Sequence, residues 1–271
     1  MRRAPHKSGQ RGFSLVEMMI AAAVFVLLCG AAFALLSVAQ QRYQTESQVL
    51  SSFQEARFGL EEMVRDVNGA GYPPQNQFTA NGSLLPTEYA STPIAWDPNY
   101  WGVAPCQIGT AGGGTCNPTP GDFDLIVERD VDPWRTNGVE WTRYQLQGTV
   151  LSRAQAPKAT GTEPDPATAN LFVPFVQNVM NNASAAQIAQ FKAIYPQMFP
   201  GENPVPVFQY LCGTPTGPQP CPLAVGYNSP LYVTDVEITL IVMAPTPDAQ
   251  TGKPRLVELH GRGHCLNPVQ P

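Results

Sequence analysis

The chain has 271 residues, of which 43% are hydrophobic and only 14% charged, with a formal net charge of −5. That length accommodates one or two domains with a sizeable core, and the charge content lies below that of an average soluble domain. Residues 72–271 hold 9 Lys+Arg against 15 Asp+Glu, a balance of −6, and no basic patch is interleaved with aromatics. Nucleic acid is thereby disfavoured as the main partner, because its affinity comes largely from clustered cations that release counterions.

The first segment, residues 1–12, carries Arg2, Arg3, Lys7 and Arg11 and no acid. From Phe13 to Leu36 the only ionisable group of consequence is Glu17. As a helix these residues extend about 36 Å, enough to cross a hydrocarbon core of about 30 Å. Cationic flanks stay on the cytoplasmic side, so everything after Leu36 is expected outside. No proline occurs between Pro5 and Pro73, and over 37–71 the sequence becomes amphipathic. Val49/Leu50, Phe53, Leu60, Met63/Val64 and Val67 recur every three to four residues between Gln, Glu and Arg. Gly59 is a tolerable weak point, and "NGAGYPP" at 68–74 supplies the breakers that end the helix. One helix of about 55 residues, about 80 Å long, is expected, half of it in lipid. Its outer stripe is short and lacks sustained charged flanks, which favours packing on its own domain over a coiled-coil stalk.

Residues 72–271 contain 27 of the 28 prolines and read as short strands between turns. The clearest runs are 123–129, 139–146, 149–154, 206–211, 233–244 and 255–261, with a tight hairpin at Gln147–Gly148. In "VTDVEITLIV", Val236, Ile238, Leu240 and Val242 alternate with Asp235, Glu237, Thr239 and Ile241, as a half-buried strand requires. "SAAQIAQFKAIY" at 184–195 reads as a short helix, while 75–121 and 155–170 read as long irregular loops. The fold class is α+β: a long N-terminal helix packed on an antiparallel β-sheet with long irregular loops.

Six cysteines bear on the compartment. Cys29 lies in the apolar run and reads as a small buried hydrophobe. Cys106 with Cys116, and Cys212 with Cys221, close short Pro/Gly-rich loops and are disulfide candidates of an oxidising compartment. Cys265 is left over, either free or altering that pairing. Enzymatic constellations are missing: there is no G-x-S-x-G, H-E-x-x-H or G-x-x-x-x-G-K-[ST]. "GTAGGGT" (109–115) lacks the phosphate-binding Lys and lies between two cysteines. His260, His264 and Cys265 in "HGRGHC" share a Gly-rich segment without a helix to hold them. The aspartates of "DFD" and "DVD" around 122–132 bracket a strand and miss calcium-loop spacing. No enzyme activity, cofactor or metal is expected. Trp96 to Trp101, "WDPNYW", falls in a long loop and offers a contact surface.

Glu17 requires a reason. At mid-span an acid costs about 2.5–3.5 kcal/mol, less near the edge, and an ordinary anchor gains nothing from it. "RGFSLVEMMIAAAVFVLL" resembles the N-terminal signature of type IV prepilins and of the pseudopilins of type II secretion. The resemblance rests on Gly12, Phe13, Ser14, Leu15 and Glu17, after a short basic leader. It implies cleavage by prepilin peptidase between Gly12 and Phe13, N-methylation of Phe13, and pairing of Glu17 with the amine of a neighbouring subunit. In a low-dielectric helix bundle an unmatched charge is costly and a matched one is not, so the acid favours assembly in register.

A second stretch, "FQEARFGLEEMVRDVNGAGYPP" (53–74), is similar to the segment past the membrane in PilW-like minor pilins. The shared pattern falls on Arg57, Leu60, Arg65, Asp66, Val67, Ala70, Gly71 and Tyr72. J-type pseudopilins share much of it. The chain lacks the proline many major pilins carry in the membrane half of the helix, which together with the bulk of its body argues for a minor subunit. The resemblance implies other major and minor pilins, the peptidase and the inner-membrane assembly machinery as partners. It places the chain first in the bacterial inner membrane, body outward, and then in a surface pilus. An exported domain with an ordinary signal peptide cut at "AFA" (32–34) remains the alternative of a different class, and a tip adhesin binding through 75–121 is a third.

Overall fold

The computed structural model describes residues 12–74, 87–90, 92–95, 121–132, 138–158, 171–221, 232–248 and 251–267. They belong to two compact units, Met1–Gln48 and Val49–Pro271. Helix α1, Leu15–Asn68, supplies 54 residues and contributes to both. It ends where Asn68-Gly69-Ala70-Gly71 removes helix propensity. Gly71 adopts φ +80°, the left-handed region that closes helices at low cost only for glycine, and its N–H bonds to the Glu128 carbonyl at 2.9 Å.

In the first unit every residue from 12 to 44 is exposed except half-buried Cys29. The expected burial of Cys29 is therefore only partial within one chain. Among the described residues of the unit nothing covers Leu15, Met18, Ile20, Phe25 or Leu28, so this stretch needs lipid or other helices around it.

The expected α+β arrangement, a long helix packed on antiparallel strands, is present, and among the described residues the strands of the second unit form two sheets rather than one. Strands β1 (Ile94–Ala95), β2 (Asp124–Arg129), β3 (Glu140–Gln147), β4 (Val150–Pro157) and β5 (Val173–Val176) form the first, in that spatial order. Helix α2 (Ala185–Ile194) follows, then β6 (Phe208–Cys212), β7 (Gln219–Pro220), β8 (Val233–Met243) and β9 (Leu256–His264). The second sheet is ordered β7-β6-β8-β9. The expected hairpin joins β3 to β4, with Gln147 opposite Val150. The two sheets are tied together where β2 and β6 begin: Tyr210 Oη donates to the Asp124 carbonyl, and Val207 N–H to that of Asp122 at 2.8 Å.

One core joins both sheets to the outer half of α1. Ala56, Leu60, Met63 and Val67 meet Ile126, Trp141, Tyr144 and Leu151 of the first sheet and Val236, Ile238 and Leu240 of the second. Helix and strand approach closely because three positions lack a side chain. A Cβ on Gly59 would lie 2.5 Å from Val176 Cγ2 on β5. One on Gly261 would lie 2.9 Å from Leu60 Cδ1, and one on Gly263 2.5 Å from Val67 Cβ. The apparent weak point of the helix is thus where β5 meets it, and the expected strand at 255–261 continues through "HGRGH" as β9, laid along α1. A smaller core lies under α2, the short helix expected at 184–195, which is capped by Ser184 and buries Ile188 and Phe191 against Met180, Phe199 and Ile241.

Candidate functional site: the start of the long helix and its outer anchor

Gly12 and Phe13 precede α1, and Phe13 is 84% exposed. Ser14 caps the helix: its carbonyl accepts the first turn's bond from Met18 N–H at 3.1 Å. Glu17 stands in the first turn with its side chain turned back, Oε2 accepting from Ser14 N–H at 2.9 Å. A carboxylate there faces the positive end of the helix dipole. The arrangement thus joins an exposed junction, a helix start and one acid on an otherwise apolar surface. It holds a carboxyl group one turn from residue 13. Among the described residues no group of three or more His, Cys, Asp or Glu is placed to hold a metal ion.

The second pattern, 57–72, is where α1 is anchored. Asp66 is fully buried and accepts from Tyr144 Oη at 2.7 Å and from Arg129 Nη2, with Arg153 Nη2 at 3.6 Å. Arg153 also reaches Glu62 at 3.2 Å. One carboxylate on the helix therefore gathers β2, β3 and β4. The Nε atoms of Arg129 and Arg153 are buried without a hydrogen-bond partner, so donors outnumber acceptors here. Burial first, then the neighbouring Asp66 charge, drive the Tyr144 hydroxyl well above its ordinary pKa. Leu60 and Val67 are core, whereas Arg57 pairs with Glu61 on the open surface at 3.1 Å. A second buried pair, Glu128 with Lys158, fixes the segment carrying β1: Thr92 N–H donates to Glu128 at 2.8 Å and Lys158 Nζ to the Tyr89 carbonyl at 3.1 Å.

The expected Cys212–Cys221 disulfide is present and closes the β6–β7 turn. Cys106 and Cys116 lie outside the described residues, as does 96–101. Cys265 is a free thiol, buried against the Ala70 carbonyl at 3.5 Å, and burial pushes it up to about 11. His260 and His264 stand on the exposed side of β9, beside Glu258 at 3.4 Å and Asp235 at 3.0 Å. Asp124 takes Arg143 and Gln145. The sequence did not disclose the partners of Asp66, since Arg129, Tyr144 and Arg153 lie far along the chain and only strand pairing brings them together.

Residues 7–33 match the prokaryotic N-terminal methylation motif. No curated protein and no solved structure matches the chain. The motif spans the Gly12–Phe13 junction, the Ser14 cap and Glu17, and α1 is long and apolar enough over its first half to cross a membrane. The chain thus carries a prepilin-type N-terminus fit for membrane anchoring, which supports a type IV pilin-like protein handled by prepilin peptidase.

Proposed function

We propose that the chain is a PilW-like minor pilin, a non-enzymatic subunit that takes part in assembly, priming or tip formation of a type IV pilus. Prepilin peptidase cuts between Gly12 and Phe13, Phe13 is methylated, and Glu17 pairs with the amine of an adjoining subunit. The observation that carries this reading is a single carboxylate in the first turn of a helix whose membrane half is otherwise bare apolar surface. A neutral residue would enter lipid more readily, so the acid needs a partner to be worth its insertion cost. The minor role is supported by the proline-free helix and by a body whose 57–72 segment is built around the buried Asp66. Other pilins and the inner-membrane assembly machinery are the partners, and the chain passes from inner membrane to pilus with its body outward.

A J-type pseudopilin of type II secretion would use the same N-terminus. Deleting the chain and counting surface pili, alongside an assay of type II secretion, separates the two. Loss of pili with normal secretion is the expected result; intact pili with failed secretion would move the chain to the pseudopilus. Replacing Glu17 by Gln should spare membrane insertion and abolish incorporation. Normal piliation in that variant would remove the pairing mechanism.

A further inference from the structure

The contact between Ser14 and Glu17 gives Ser14 a role that subunit pairing alone leaves unused. Ser14-Leu15-Val16-Glu17 has the Ser-x-x-Glu spacing of a capping box, in which an acid at the third helical position reaches back to the N–H of the capping residue. That half of the box is formed, with Ser14 N–H 2.9 Å from Glu17 Oε2. Helix α2 of the same chain carries the complete device on Ser184 and Gln187, where the acceptor is a neutral amide. The geometry points to the main-chain N–H of Ser14 as the positioning group that parks the Glu17 carboxylate on its own helix until a neighbour's amine takes it. The parking half rests on the observed bond; the release half rests on the minor-pilin reading.

Two physical reasons favour parking. Lipid offers no water to a bare acceptor, so a carboxylate near the membrane edge is satisfied internally or remains costly. The exposed N–H groups and positive dipole end of the helix are the nearest available donors. Pairing between subunits is then an exchange: the carboxylate leaves the Ser14 N–H for a cationic amine, a stronger charge-assisted bond. The new amine on Phe13 arises one residue before the N–H that holds the acid, so an incoming subunit finds the carboxylate already turned toward the helix start. Gln separates the two tasks. It serves the capping box, as Gln187 does, and carries no charge to exchange.

The test uses the full-length precursor, purified in micelles from cells lacking prepilin peptidase, with residue-resolved amide hydrogen exchange. Ser14 N–H should exchange roughly tenfold slower in the wild type than in Glu17→Ala, as expected when one charge-assisted hydrogen bond is lost. Glu17→Gln should keep most of that protection while failing, like Glu17→Ala, to enter pili. Equal exchange at Ser14 in wild type and Glu17→Ala would overturn the parking and leave the minor-pilin reading standing. Normal incorporation of Glu17→Gln would overturn the exchange together with the Glu17 pairing, while the chain's place in the pilus and the cap itself would remain.

Discussion

Asp66 ties the outer half of α1 to β2, β3 and β4, and Asp66→Asn isolates its charge. The side chain is 1% exposed, and it faces Arg129 and Arg153, whose side chains are 17% and 24% exposed. Asparagine keeps the shape and still accepts from Tyr144, but it leaves two guanidinium groups and two unpartnered Nε donors around a neutral amide. Removing one partner of a buried pair costs about 3–5 kcal/mol. Partial access of water to both arginines argues for the lower end, about 3 kcal/mol, a drop in Tm of about 6–12 °C for a body of this size. The assay is thermal unfolding of the full-length chain in detergent, followed by near-ultraviolet circular dichroism, where buried Trp141 and Tyr144 report. Arg57→Ala is the control: its pair with Glu61 is 74% and 54% exposed and, as a surface i,i+4 contact, is worth about 0.3–0.5 kcal/mol. Adding Arg129→Met to Asp66→Asn should recover part of the loss, because it removes one stranded charge. A shift for Asp66→Asn no larger than that for Arg57→Ala, or no recovery in the double variant, would refute the reasoning.

Gly263→Ala should lower Tm by several degrees, since its Cβ would meet Val67 at 2.5 Å and overpacking costs about 1–3 kcal/mol; combination with Val67→Ala should restore much of it in a double-mutant cycle. Cys265, buried and pushed up to about 11, should resist maleimide at neutral pH in the folded chain and react once urea opens it. Burial alone would raise the Asp235 carboxyl, but hydrogen bonds from Thr234, Arg262 and His264 outweigh it and hold the folded pKa below 3.8. Its contribution to stability is therefore present above the unfolded value and disappears as pH falls through the folded one. Asp122 and Asp130, raised chiefly by burial, act with the opposite sign, so urea unfolding of Asp235→Asn against wild type from pH 6 to 3 isolates the effect. The gap between the two should narrow toward pH 3, and a constant gap would contradict the assignment.

The parts of this fold legible in the sequence were those written in local periodicity. α1 and α2 follow the spacing of apolar residues and their caps, and β8 follows the alternation of Val236, Ile238, Leu240 and Val242, although Asp235 and Ile241 beside them are buried as well. β5 was not legible: "VPFV" carries a proline and borders a polar run, and it becomes a strand only by pairing with β4. The 255–261 run was legible as a strand, but the reason for Gly261 and Gly263 was not, because nothing local reveals that α1 needs that space. Asp66 was visible as part of a pattern, but its meaning depends on arginines supplied by long-range strand register. At the N-terminus the junction, the acid and the apolar run stood out together within a few residues. The hold of Ser14 on Glu17 emerged only from the direction in which that side chain turns.

The account as a whole turns on what lies at the start of the mature chain. Intact-mass and N-terminal peptide mass spectrometry of the protein recovered from its own cells measures this directly. A chain beginning at N-methylated Phe13 is the result the account predicts. Retention of residues 1–12, or a start near Leu35 after loss of the apolar segment, would contradict it.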